Sequence, residues 1–202
     1  MTTQTDEALM QSYTCGNTTA FQELYQRHEG GLYRFIRRTL GGRASAMADE
    51  VFQDTWMNII HARDRFDAQR SQHAWKSWAY TIAFRVAMDA LRKSGKEVAL
   101  PHETETGADE MDDWIQHILP QRPSSEDEVF WRAAGTQLLE CLQALPAAQR
   151  GVFLLYHEDG LALDSISQRL NLPFEAIKSR MRYALKKLRL CMHPYLLEWS
   201  DT

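Results

Sequence analysis

The stretch that most restricts the fold lies near the C-terminus, where a short helix, a tight turn and a longer helix are predicted to follow one another. Asp164–Leu170 has helical periodicity, Asn171-Leu172-Pro173 has the composition of a turn, and a second periodic segment runs from Phe174 to Arg189. Asn tolerates a left-handed backbone and Pro favours the first turn of a helix. At 3.6 residues per turn, one arc of roughly 100° on the second segment is apolar: Ile177, Met181, Ala184, Leu185 and Leu188. The pattern predicts a helix-turn-helix that buries this arc.

The opposite side of the predicted second helix is basic. From Lys178 to Arg189 there are six basic residues and no acidic one. A helix fits the major groove of DNA, where Arg, Lys and Ser can meet base edges and further cations meet phosphates. The alternative is a solvated face that only aids solubility, but the preceding helix and turn favour DNA binding. The residues assigned to this contact are Lys178, Ser179, Arg180, Arg182, Tyr183 and Lys186.

Helical periodicity extends along most of the chain and alternating strand patterns are absent, so the sequence predicts an all-α protein. The other expected helices are Asp6–Tyr13, Thr19–Leu40, Ser45–Ala62, His73–Lys93, Ser125–Ala144 and Pro146–Tyr156. Between Ser94 and Ser125 the periodicity fades, and nine acidic residues lie between Glu103 and Glu128. We therefore predict two small helical domains, residues 1–94 and 129–202, joined by a flexible acidic linker at residues 95–128.

Composition narrows the class of protein further. The net charge of −4 would argue against nucleic-acid binding, but it averages an acidic middle and a basic end. The polar, acidic N-terminus and the lack of a long apolar run predict a cytoplasmic protein. Three widely spaced cysteines, Cys15, Cys141 and Cys191, predict reduced structural thiols. Cys191 with His193 could in principle hold a metal ion but lacks further ligands, so no metal and no other cofactor is expected.

Two helices of the first half carry side chains that suit binding. In the helix around Asp49–His61, Phe52, Trp56, Ile59 and Ile60 face one side, and Glu50, Asp54, Met57 and His61 face the other. In the next helix, the predicted core face is Trp75, Ala79, Ile82, Val86 and Ala90, and a second stripe is Ser77, Trp78, Thr81, Arg85 and Arg92. Interleaved aromatic and cationic groups suit single-stranded DNA, because an unstacked base needs a stacking surface and its phosphate a cation. Trp78 remains open between core and DNA contact, and an ordinary amphipathic surface remains the alternative for Glu50 and Asp54.

These segments resemble those of a known family. The stretch Leu142–Arg150, the apolar Val152–Leu155 and the stretch Ile177–Ala184 look like the fourth domain of extracytoplasmic-function sigma factors of bacterial RNA polymerase. Ala48–Trp56 resembles the part of sigma domain two that docks on polymerase, and Trp75–Arg92 is similar to its promoter-melting part. The pattern departs from the family at Ser165 and Ser167, where Glu and Ala are usual, at Glu175-Ala176, which replaces Gly-Thr, and at Arg85, where Asn is frequent.

The resemblance implies an alternative sigma factor without catalytic residues. Its first domain would bind the clamp helices of the largest polymerase subunit through Asp49, Glu50, Gln53, Asp54 and Trp56. The same domain would recognise and melt the minus-ten element through Arg63, Arg65, Phe66, Ser77, Trp78, Thr81, Arg85 and Arg92, with a flipped base held by the Arg63–His73 loop. The last domain would bind the minus-thirty-five element and the beta subunit flap. The acidic linker would enter the polymerase RNA channel, and a solubilising tether is the alternative for this segment. An anti-sigma factor is a further expected partner, and no stable homo-oligomer is expected.

Two other classes of protein remain as alternatives. One is a helix-turn-helix regulator that binds its operator without polymerase. The other is a small helical hydrolase that uses His28, His61 or His73, although no paired acid, nucleophile or metal set is evident beside these histidines in the sequence.

Overall fold

The computed structural model describes residues 4–69, 73–95, 128–157 and 160–200, and within these ranges it contains helices and no strand. The first part contains α1 (Asp6–Thr14), α2 (Thr18–Leu40), α3 (Ala48–His61) and α4 (Ala74–Lys93), with 3₁₀ turns at Gly42–Met47 and Arg63–Arg65. The second contains α5 (Glu128–Ala144), α6 (Ala147–His157), α7 (Leu163–Leu170) and α8 (Phe174–Ser200). The all-α prediction is confirmed, and the predicted linker at 95–128 lies almost wholly outside the described residues. None of the described helices is both long and apolar enough to span a membrane.

Local capping accounts for the first two helix starts. Thr5 accepts a hydrogen bond from the N–H of Ala8 at the start of α1, and Asn17 accepts from the N–H groups of Thr19 and Ala20 at the start of α2. Side chains of this kind satisfy N–H groups that have no partner within the helix.

The start of α4 depends on a tertiary contact instead. His73 is left-handed (φ 59°) and makes no side-chain cap. The carboxylate of Glu7, on α1, accepts a hydrogen bond from the N–H of Trp75 at 3.2 Å. Asp6 fastens α1 in turn to α2, through Arg27 at 3.0 Å and His28 at 2.7 Å. The hydrogen bond from His28 holds the pKa of Asp6 below its usual value.

Aromatic rings fill much of the core of the first domain. Trp75 is fully buried, as the sequence predicted, and lies 4.2 Å from the ring of His28 and 6.3 Å from that of Trp56. The core face predicted for α4 is only partly right, because Ala79 is buried while Ile82, Val86 and Ala90 are half-buried. The larger buried set on α4 is Tyr80, Ala83, Phe84, Ala87, Met88 and Leu91. This helix packs against α1, α2, α3, α6 and α7, so a wide part of its circumference is covered.

In the second domain α8 packs against α5, α6 and α7. The apolar arc predicted on α8 is confirmed, since each of its five residues is at most 5% exposed. The helix continues to Ser200, beyond the end expected at Arg189, and includes Pro194.

The cysteine prediction is wrong for two of the three residues. Cys141 on α5 and Cys191 on α8 form a disulfide, with their Cα atoms 5.9 Å apart, whereas Cys15 is a free, exposed thiol. The two cysteines are 50 positions apart in the chain, and only the packing of α5 against α8 brings them together. The sulfur of Cys191 is therefore not free to act as a metal ligand beside His193.

The two domains pack directly against each other. Helix α6 contacts α2 and α4, and α7 contacts α4. Arg150 of α6 lies in this interface and is only 4% exposed. Its Nε and Nη2 atoms donate to the carbonyl of Thr39, at 3.2 and 2.8 Å. Its Nη1 atom donates to three carbonyls around the end of α5, those of Leu142, Gln143 and Leu145, at 3.2, 2.9 and 3.0 Å.

Reduction of the Cys141–Cys191 bond is expected to lower the free energy of unfolding of the second domain by about 2–4 kcal/mol, because the bond closes a long loop in the unfolded chain. Urea unfolding followed by circular dichroism, with and without reductant, measures the change. Cys15→Ser should keep the dependence on reductant, and Cys141→Ser should lose it. A transition that is the same in both conditions for the unmodified protein would contradict the prediction.

Candidate nucleic-acid interface

The turn between α7 and α8 is closed by main-chain and side-chain hydrogen bonds. Asn171 ends α7 in the left-handed conformation (φ 54°, ψ 47°), as expected from the turn composition, and its N–H donates to the carbonyl of Ser167. The N–H of Leu172 donates to the same carbonyl at 3.1 Å. The Ser167 hydroxyl donates to the Leu172 carbonyl at 2.7 Å. Ser167, noted in the sequence as a departure from the family pattern, thus fixes the turn that orients α8.

The basic face of α8 lies outside the domain core. Lys178 and Lys186 are exposed, and the other assigned residues are half-buried: Ser179, Arg180, Arg182 and Tyr183. The ammonium of Lys178 lies 4.0 Å from the carboxylate of Glu175, and the guanidinium carbon of Arg182 lies 5.6 Å from the ring centre of Tyr183. Because the five core residues of the arc are buried, the helix separates a packing side from a cationic, solvent-accessible side. A helix with this division can enter a major groove without exposing its core.

Phe174, the first residue of α8, is a candidate contact that the sequence reasoning missed. Its side chain is 41% exposed, and the ammonium of Lys178 lies 5.8 Å from the ring centre. The signal that could have revealed it is a bulky aromatic residue directly after the turn, where recognition helices present base-contacting side chains.

Four of the five residues expected to contact polymerase form an exposed acidic surface on α3. Asp49, Glu50, Gln53 and Asp54 are exposed. The hydroxyl of Tyr33 donates to Asp49 at 2.7 Å, and this hydrogen bond raises the pKa of Tyr33.

Trp56, the fifth residue, is buried in this structure. It is 5% exposed and packs among the rings of Phe21, Tyr25 and Phe52, so it supports α3 from inside and presents no contact surface in this structure.

A groove of about 380 Å³ lies beside the acidic surface, between α3 and α4. Its lining includes three carboxylates, one amide and one ammonium: Glu50, Asp54, Asp89, Asn58 and Lys93. The family resemblance assigned Glu50 and Asp54 to a binding surface, but neither the resemblance nor the sequence periodicity indicated that Asp89 of α4 would lie across from them.

The expected minus-ten contacts include an aromatic pair and four arginines. The rings of Phe66 and Trp78 are half-buried with centres 5.4 Å apart, which joins the 3₁₀ turn to α4 and makes Trp78 neither fully core nor fully exposed. Arg65 is exposed and Arg63 half-buried. Arg85 and Arg92 are exposed: Arg92 pairs with Asp89 at 2.8 Å, and Arg85 donates to the carbonyl of Arg169 on α7. Residues 70–72 of the loop lie outside the described part of the chain.

Ser77 and Thr81, which belong to the same stripe, are buried in this structure. Both are 5% exposed, and their hydroxyls donate to carbonyls of their own helix turn, those of His73 and Ser77, at 3.1 and 2.7 Å. Since a short hydroxyl side chain readily bonds the carbonyl four residues before it, these groups are occupied in this structure.

The three histidines considered for a hydrolase lie apart. His28 does have a paired acid, Asp6, which the sequence reasoning did not foresee, but the pair joins α1 to α2 and lies against Trp75. His61 and His73 are exposed at the ends of other helices. Within the described residues, no group of three or more His, Cys, Asp and Glu side chains is arranged to hold a metal ion.

Comparison with known proteins gives matches in both domains. Residues 24–97 match the family model of sigma-70 region 2, and residues 141–190 match that of sigma-70 region 4. The sigma factor named ECF RNA polymerase sigma factor SigK from Mycobacterium sp. (strain KMS) is 27% identical over 186 residues, which is 92% of this chain and 90% of the relative. The protein of the same name from Mycobacterium tuberculosis (strain ATCC 25618 / H37Rv) is 28% identical over 189 residues, 92% of each chain.

Two solved structures share the fold. CnrH, in complex with the cytosolic domain of CnrY, has a TM-score of 0.58 and 22% identity, covering 94% of this chain and 97% of CnrH. The sigma factor RpoE from Bartonella quintana, in complex with the anti-sigma factor NepR, has a TM-score of 0.55 and 18% identity, covering 86% of this chain and 96% of RpoE. The two region models together match more than half of the chain, in the order found along it. The chain therefore belongs to the extracytoplasmic-function sigma factors: it is an alternative sigma factor, a transcription initiation factor that directs RNA polymerase to promoters.

Proposed function

We propose that the two domains divide promoter recognition between them, with residues 129–202 reading the minus-thirty-five element as duplex and residues 1–94 reading the minus-ten element as a melted strand. The observation that carries this proposal is α8, which follows a hydrogen-bonded helix-turn-helix turn and separates a buried apolar arc from a cationic face. On this face, Lys178, Arg182 and their assigned neighbours meet bases and phosphates. Phe174 lies at the helix start, where an aromatic ring can contact the methyl group of a thymine.

In the first domain, the minus-ten surface that we propose is smaller than the stripe expected from the sequence. The rings of Phe66 and Trp78 supply a stacking surface, and Arg63, Arg65, Arg85 and Arg92 supply cations. This combination suits an unstacked single strand. Ser77 and Thr81 support α4 from within, through hydrogen bonds to its own carbonyls.

Polymerase docking is proposed for the acidic surface of α3. Asp49, Glu50, Gln53 and Asp54 are exposed on consecutive turns, and the α3–α4 groove beside them adds Asp89. Such a surface complements a cationic partner and steers its approach. By family likeness the partner is the pair of clamp helices of the largest subunit, and the second domain contacts the beta subunit flap.

An anti-sigma factor is the regulatory partner that we propose. One solved relative is described as a complex with the anti-sigma factor NepR. The fold shared with that relative extends over 86% of this chain.

Arg182→Ala and Lys178→Ala are each expected to weaken binding to minus-thirty-five duplex, by about 1–3 kcal/mol where the lost contact is to a base edge and by less where it is to a phosphate. The measurement is fluorescence anisotropy with a labelled promoter duplex and polymerase holoenzyme at fixed salt. Arg34→Ala removes one exposed positive charge from α2 and serves as the matched control. Normal affinity in both test variants would refute the assigned face.

Glu50→Lys and Asp54→Lys are expected to weaken binding to core polymerase without unfolding the chain, because both side chains are exposed and charge reversal places like charges across the interface. Binding is measured by pull-down and titration with core polymerase. Glu29→Lys, an equal reversal at an exposed position on α2, should bind normally. Retention of full affinity by both test variants would count against docking at α3.

Promoter binding with and without core polymerase separates the sigma mechanism from that of a regulator acting alone. A gel shift should appear at low protein concentration only when polymerase is present. An equally tight shift by the isolated chain would favour the regulator.

A further inference from the structure

The contact between the two domains is closely fitted at Arg150. Its guanidinium bonds the carbonyl of Thr39, in the last turn of α2, and three carbonyls around the end of α5. Carbonyls at a helix end have no partner within the helix and carry partial negative charge. The Arg150 side chain therefore provides hydrogen-bond donors for carbonyl groups at the ends of two helices, α2 of the first domain and α5 of the second.

The neighbouring residue, Gly151, permits the close approach of α6 to α4. A Cβ atom at this position would lie 2.2 Å from Cε2 and 2.5 Å from Cδ2 of the Phe84 ring. Phe84 is only 3% exposed, so the ring has little room to move away. The nearest atoms that the added Cβ would meet all belong to Phe84, which means that the collision is between domains and not within α6.

The same contact occupies part of the proposed DNA surface. Arg85 of α4 donates to the carbonyl of Arg169, at the end of the first helix of the helix-turn-helix. Lys178, on the recognition face, is nine residues further along the chain, so its Cα lies within roughly 34 Å of the Cα of Arg169. The two DNA-reading surfaces are therefore close together in this structure.

Promoter geometry demands a much larger separation. Elements centred about 35 and 10 base pairs upstream lie about 25 base pairs apart, which is roughly 85 Å along straight B-form DNA at 3.4 Å per base pair. The packed arrangement does not reach both elements at once. Residues 96–127 could span roughly 110 Å when fully extended, so the covalent connection permits separation.

We infer that the packed arrangement is a closed, self-inhibited state of the free sigma factor. It is held by the hydrogen bonds of Arg150 to both domains, which we call the Arg150 clasp, and by the fit of Gly151 against Phe84. In this state Arg85 is engaged by the helix-turn-helix, and the two domains cannot occupy their promoter elements together. Polymerase and promoter bind the open state, so the clasp reduces the affinity of the free protein for them. The inference about inhibition rests on the proposed division of promoter recognition, whereas the closed state itself does not.

Gly151→Ala tests the inference directly. Alanine is more favourable than glycine within a helix by about 1 kcal/mol, so α6 itself should tolerate the change while the added Cβ opposes closure. Gly135→Ala on α5 is the matched control, since its Cβ would meet no atom within 4 Å. Circular dichroism and thermal unfolding check that both variants keep the folded domains.

Small-angle X-ray scattering of the full chain is the first readout. Gly151→Ala should have a larger radius of gyration than the unmodified protein and Gly135→Ala, which should agree with each other. Equal values for all three proteins would overturn the closed state.

Transcription in vitro with limiting sigma factor and core polymerase is the second readout. Gly151→Ala should give roughly threefold or greater gain in initial rate, because the apparent affinity rises as the competent fraction rises. A larger radius of gyration without a gain in the initial rate of transcription would overturn the inhibitory role. If the promoter assignment itself is wrong, the scattering difference persists while even the unmodified protein gives no transcription from the chosen promoter.

A cross-linking variant reports on closure independently. A Cβ at Gly42 would lie 3.2 Å from Oε1 of Gln143, across the domain interface, and both residues are exposed. Gly42→Cys with Gln143→Cys, in a Cys15→Ser background, should react with a short bis-maleimide to form an internal cross-link. Adding Gly151→Ala should reduce the yield, and the cross-linked protein should not initiate transcription. Failure to cross-link, or full activity of the cross-linked protein, would overturn the inference.

Discussion

The arrangement of the two domains depends on the burial of one guanidinium group, that of Arg150. Burial lowers the pKa of Arg150 to about 10, which reflects the cost of desolvating its charge, although the group stays protonated near neutral pH. This cost is offset because each nitrogen of the guanidinium donates a hydrogen bond to a carbonyl oxygen. A buried polar group without a partner would destabilise the fold. Gly41 makes the site possible: its φ is 76°, and a Cβ there would lie 2.7 Å from Nη2 of Arg150. The end of α2 is thus shaped to receive a side chain from the other domain.

The helix-turn-helix is held rigidly by a different set of interactions. Ser167 and Asn171 close the turn before α8, and the Cys141–Cys191 disulfide fastens the later part of α8 to α5. Between these two points lie the five buried residues of the apolar arc. In the proposed promoter complex, a helix held at both ends would present its cations at fixed places, which would reduce the entropy lost when DNA is bound.

The first domain combines a rigid aromatic core with polar surfaces. Trp56 and Trp75 lie inside this core, and Trp78 lies at its edge against Phe66. Glu50 and Asp54 of α3 project from the side of the helix opposite to Trp56, so the packing of the buried Trp56 ring orients them. The family motif that includes Trp56 therefore contains both buried and exposed side chains of α3.

Much of the local structure followed from the sequence. The helices, the left-handed Asn171, the apolar arc of α8 and the exposed acids of α3 were predicted correctly, because periodicity and turn chemistry act within a few residues of the chain. The family was also recognisable from motifs in both domains, and the matches to sigma-70 regions 2 and 4 confirm it.

The tertiary structure decided what depends on distant residues. The pairing of Cys141 with Cys191, the cap that Glu7 places on α4 and the clasp between Arg150 and Thr39 join positions 50, 68 and 111 residues apart. It also decided that Ser77, Thr81 and Trp56 are buried, since neighbouring helices cover more of α4 and α3 than a single amphipathic stripe indicates. Sequence periodicity reports which side of a helix is apolar, whereas burial and long-range partners depend on how many other elements pack around it, and that number is a property of the whole fold.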